Sequence, residues 1–218
     1  MKKQLSLMLA LSLGLSGLSG QALASDNGQY KITITNLMRG SLLTPALAVS
    51  HKRGVNVFTE GAPASDALAQ LAEGGDTMPL KESLFSTGKA YGSANSGPVL
   101  PGHSVTMMVP VNRDARRISL VSMVLPTNDG FIALNGVMGP KKGRTKTYYV
   151  PAHDAGSELN DEHCVNIPGP HCGGAGYNAA GGEGYVHIHA GIHGGGDLVA
   201  ADYDWRNPVA RITVEHVK

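Results

Sequence analysis

Apolar and polar residues alternate along much of the chain with the period of a strand. Tyr30-Lys-Ile-Thr-Ile-Thr35 places every second side chain on one face, as a half-buried strand requires. Ser104 to Val109, between Pro101-Gly102 and Pro110, reads the same way, as do Tyr185-Val-His-Ile-His189 and the closing Ala210 to Val217. Leu47 to His51 and Thr145 to Val150 are further strands. Ile118-Ser-Leu-Val-Ser-Met-Val-Leu125 is the longest apolar run and predicts a central strand, with Phe131 to Leu134 following a polar turn at Thr127-Asn-Asp-Gly130.

One stretch departs from this period. From Ala64 to Glu73, Ser65 is placed to cap a helix, Leu68, Leu71 and Ala72 share a face, and Gly74-Gly75 ends it. The predicted fold is therefore all-β: an antiparallel β-sandwich with one short helix inserted between strands. Helical patterns long enough for parallel crossovers are missing. Residues 173–184, rich in Gly and Ala, read as a loop with no core of its own.

The N-terminus bears on the compartment. Lys2 and Lys3 precede an apolar stretch from Leu5 to Leu18, and Ala22-Leu-Ala24 has the small-x-small form of a cleavage site. Residues 1–24 read as a secretory signal peptide cut after Ala24, and residues 25–218 as one domain, periplasmic or secreted, without a membrane span. The mature balance is 16 Lys+Arg against 17 Asp+Glu once the two leader lysines are gone, about −1. No overall basic excess recommends nucleic acid or an anionic membrane as partner.

In an oxidising compartment Cys164 and Cys172 read as a disulfide closing a small loop around Pro168-Gly-Pro170. A Cys2His2 zinc site with His163 and His171 is the alternative, though its spacing matches no standard zinc pattern. His187, His189 and His193 form a second candidate metal site, for zinc or copper, and with an open coordination position that site implies a metal-dependent periplasmic enzyme. Other catalytic schemes lack their motifs: there is no Gly-x-Ser-x-Gly, no phosphate-binding Gly-x4-Gly-Lys-Ser/Thr and no His-Glu-x-x-His. Trp205, the only tryptophan, reads as a core plug at a sandwich end.

Taken in order, several segments resemble the spondin family. Tyr30 to Leu37 is similar to its opening strand; Pro45, His51 and the Ala64–Glu73 helix to the features that follow; Ser122 to Phe131 to its central strand and turn; and Asp154-Ala-Gly-Ser-Glu158 to its acidic loop. The resemblance implies a C2-like sandwich that binds calcium through loops at one end and acts in adhesion, not catalysis. Carried onto this sequence, the ligands are Asp129, Asp154 and Glu158, with Asn128, Asp161 and Glu162 as further candidates. The chain departs from the animal members at Gly130, where they often carry Trp, and at Glu158, where they commonly carry Asp.

Calcium takes six to eight hard oxygens, and three carboxylates converged without a cation repel one another. The leading expectation is thus an exported calcium-binding module, non-enzymatic, that recognises a surface protein or glycan. A histidine-based metalloenzyme and a purely structural envelope protein are the two rival readings.

Overall fold

In a computed structural model of the chain, residues 28–178 and 181–217 are described; the signal-peptide reading of residues 1–24 lies outside them. Two antiparallel sheets pack face to face. The first has the order β5 (Ser104–Val111), β1 (Gly28–Asn36), β11 (Ala210–Val217), β8 (Thr145–Val150). The second runs β10 (His187–Ile188), β9 (Ala152–Asp154), β7 (Gly130–Met138), β6 (Arg117–Leu125), β3 (Leu47–His51), β4 (Ala90–Asn95), with β2 (Leu42–Leu43) pairing β6.

The alternating strands behave as their period requires. In β1, Tyr30, Ile32 and Ile34 are wholly buried while Lys31 faces out beside Glu215. The main core lies between the sheets, where Ile32, Leu120, Ile132 and Ile212 meet and Trp205 plugs one end. β6 reads as a continuous apolar run because both its faces are covered. Ile118, Leu120 and Val124 join the inter-sheet core; Val121, on the opposite face, joins a second cluster with Leu68, Leu71, Leu80 and Leu84.

That second cluster is built by the insertion after β3. The expected helix is present as α1 (Asp66–Gly74): the Ser65 hydroxyl accepts from Leu68 N, and Gly75, at a φ of 71°, closes the C-terminus. The insertion also carries a second helix, α2 (Met78–Ser86), which burial of Leu80 and Leu84 against the sheet stabilises despite its weak periodicity. The strand expected over Tyr185–His189 shrinks to the two residues of β10, which pair with Asp154 and His153 of the three-residue β9, and His189 N adds one further bond to Ala152 O at 3.0 Å. Cys164 and Cys172 form the expected disulfide.

Candidate functional site

Asp129 ends the turn between β6 and β7. Thr127 fixes that turn: its hydroxyl donates to Val124 O and accepts from Gly130 N. β7 then pairs with β9 so that Gly130 faces Asp154, and β10 brings His187 opposite the same Asp154. Three segments distant in sequence therefore meet at one sandwich end. Asp129 and Asp154 do not hang in solvent off this end: both are buried, with relative exposures of 0% and 1%.

The segment after β9 wraps Asp129. Its Oδ2 accepts from Ser157 N at 2.8 Å, Glu158 N at 3.1 Å and the Ser157 hydroxyl at 3.3 Å, whereas Oδ1 has no hydrogen-bond partner. Asp154 Oδ1 accepts from Gly156 N at 2.8 Å, and its Oδ2 from Asn160 Nδ2 at 2.7 Å. Gly156 sits at a φ of 63° with its backbone against that of Tyr185, a position open only to glycine. Burial, and then the neighbouring Asp154 carboxylate, push the Asp129 pKa up to about 8 against the pull of its two backbone donors.

Glu158 is buried as well, and neither of its carboxylate oxygens makes a hydrogen bond of normal geometry. Burial and the nearby Glu73 raise its pKa to about 7, opposed by the Asn178 and Asn128 amides. Glu73 is the acid the sequence reading missed. It lies in the last turn of α1, fully buried, with Oε2 accepting from Asn178 N at 2.6 Å and Oε1 unpaired. A signal existed: Glu73 follows Ala69 by four residues, on the helix stripe that holds Leu68 and Ala72. Glu183, also missed, lies close enough to raise the Asp129 pKa further.

The three carried-over ligands and the three further candidates thus divide. Asp129, Asp154 and Glu158 share one sandwich end, but their oxygens do not all lie within 4.8 Å of one another; Glu158 is close enough to Glu73 to feel its charge. Asn128 and Glu162 tie loops together. Asn128 Oδ1 accepts from Glu162 N, and the Glu162 carboxylate accepts from His193 N at 2.5 Å and Gly195 N at 2.8 Å. Burial opposes ionisation of Asp161, but hydrogen bonds from His163 N, Asn128 and Asn166 outweigh it and hold its pKa below the usual range.

The histidines do not converge. Among the described residues, the only three His, Cys, Asp or Glu side chains with all ligand atoms within 4.8 Å are Cys164, His171 and Cys172, and these two sulfurs are joined in the disulfide. His187 Nδ1 lies 3.7 Å from Asp154 Oδ1, and the His193 side chain is exposed. His189 is buried against Trp205, with ring centroids 5.4 Å apart. Its Nδ1 accepts from Gly191 N at 2.9 Å, so the neutral ring carries its proton on Nε2 and offers a metal no lone pair there. A Cβ on Gly130 would come within 3.0 Å of His189 Cδ2; the imidazole fills the space a larger residue at 130 would need.

The Spondin_N family model matches residues 38–156, more than half of the 218-residue chain, from before β2 through Asp129 and Asp154. The chain belongs to the spondin family. Among curated proteins none matches it in sequence. The matched segment of this spondin domain contains both helices of the insertion and ends at Gly156, so Glu158 and the candidate metal-site histidines His187, His189 and His193 lie beyond it.

Proposed function

We propose that this spondin domain is an exported, non-catalytic recognition module that holds calcium at the end of the sandwich where Asp129 and Asp154 meet. The observation that carries the reading is Asp129: a buried carboxylate with one unpaired oxygen, packed beside a second buried carboxylate. A buried, incompletely satisfied charge is costly unless a cation offsets it. The donor set is all oxygen, the chemistry calcium prefers. Asp129 and Asp154 would hold the ion; Glu158, whose backbone N–H donates to Asp129 Oδ2, would have to bring its carboxylate closer to serve as the third ligand. Bound calcium would supply positive charge and tie the Ala155–Glu158 segment to the β6–β7 turn.

The direct test is metal content and calcium-linked stability of the untagged mature protein. A melting temperature that rises with calcium and falls with chelator supports the reading, because a ligand that binds only the native state must stabilise it. Absence of any calcium response, with stoichiometric zinc or copper in the purified protein, refutes it.

A further inference from the structure

The near-neutral net charge conceals a strong separation of charge along the sandwich. β6 starts at Arg117 and finishes just before the Asp129 turn, so its two ends are roughly 25 Å apart. At the end away from Asp129, the β5–β6 and β7–β8 loops and the start of β8 carry six exposed cations: Arg113, Arg116, Lys141, Lys142, Arg144 and, in β8, Lys146. Asp114 is the only acid within residues 112–117 and 139–146. Among the described residues none of the six forms a salt bridge. The buried acids lie several screening lengths away at physiological ionic strength and do not neutralise this pole.

The two loops are held in place by backbone hydrogen bonds. Gly139 N donates to Arg116 O at 2.9 Å, Gly143 N to His216 O at 2.9 Å, and His216 N to Arg144 O at 3.0 Å. The buried Tyr30 hydroxyl donates to Arg116 O at 3.2 Å from below. Two hollows flank the shared wall formed by Arg116 and Lys141. One, of about 390 Å³, extends to Arg144 and Lys146; the other, of about 130 Å³, extends to Arg113 and Lys142. The larger falls within the size range of small-ligand sites.

We propose that this basic end binds a polyanionic glycan through its sulfate or phosphate groups. Guanidinium and ammonium groups on a fixed backbone match the oxygens of such groups. The surface is grooved between loops, which suits a chain lying across it better than a flat bilayer. The proposal goes beyond the calcium site and is independent of it, because the two lie at opposite ends.

The test is fluorescence polarisation with a labelled heparin hexasaccharide at 150 mM salt, in calcium and in chelator. Saturable binding is expected in both, weakening as salt rises. The pair Lys141→Glu/Arg144→Glu weakens it at least tenfold. The charge-matched pair Arg39→Glu/Arg206→Glu, both exposed positions elsewhere, leaves it within about twofold. Circular dichroism checks that both pairs fold. Absence of saturable binding, an equal loss in the control pair, or equal affinity for phosphatidylglycerol vesicles or single-stranded DNA overturns the proposal. Binding that survives in chelator while the calcium melting response is missing leaves the basic site standing and removes only the calcium reading.

Discussion

Replacing Asp129 by Asn separates the electrostatic demand of the sandwich end from its shape. The unfolded chain ionises this group near pH 4, whereas the metal-free fold holds its pKa up at about 8. At neutral pH the metal-free fold therefore loses on the order of 4 kcal/mol by burying this one carboxyl. The sign is fixed by the direction of the shift. The native state keeps a proton that the unfolded state releases, so metal-free stability falls as pH climbs from about 4 to about 8. Asn is close in shape and keeps an oxygen to accept from Ser157 N and Glu158 N, at a cost of about 1 kcal/mol for the weaker acceptor. The metal-free Asp129→Asn protein should gain about 2–3 kcal/mol, or roughly 4–12 °C in melting temperature for a domain this size. It should also lose most of that pH slope. The wild type should gain about 2.7 kcal/mol from calcium at a hundredfold excess over its dissociation constant, and the variant almost none. The assay is calorimetric melting in chelator and in calcium between pH 5 and 8. A metal-free variant that melts below the wild type, or one that keeps the full calcium response, refutes the reasoning.

Asn36→Ala should cost about 2–4 kcal/mol in denaturant unfolding: the buried amide donates to Ser41 O and Val99 O and accepts from Met38 N, and its loss leaves Ser41 O and Met38 N unpaired while Val99 O keeps its bond from Leu43 N. Gly92→Ala should lower the melting temperature by several degrees, since a Cβ there would lie 2.6 Å from Pro110 O, where β4 and β5 close the seam between the sheets. His51 is held neutral, its pKa lowered by burial; Nδ1 donates to Lys52 O and Nε2 accepts from the Ser119 hydroxyl. A lowered histidine contributes its full stability above about pH 6.5 and loses it as pH falls below. His51→Gln removes this one acid-destabilising contribution, so its melting temperature relative to wild type should rise as pH is lowered from 7 to 5 under either metal condition.

The strands were legible in the sequence wherever one face met water. β1, β5 and β11 carry their burial in a two-residue period, and β8 is bounded as its composition suggests. α2 was not legible, because only Leu80 and Leu84 of its nine residues are buried and the face they form exists only once the second sheet lies beneath it. Asp129 and Asp154 were found through the order of motifs, yet their burial was not: the turn after an apolar strand predicts exposure, and the Ala155–Glu158 segment that covers it arrives from 25 residues downstream. Glu73 belongs to the same difficulty. A glutamate at the end of an amphipathic helix normally reaches water, and it is buried here only because the residues around Asn178 close over it. The basic pole shows the limit from the other direction. Its cations come from two segments some 25 residues apart in sequence, and a net charge summed over the chain cancels them against acids at the far end of β6. What a linear reading misses in this domain is which loops share an end, and in an antiparallel sandwich that is set by strand direction, which assigns the β6–β7 turn to one pole and the loops on either side of that hairpin to the other.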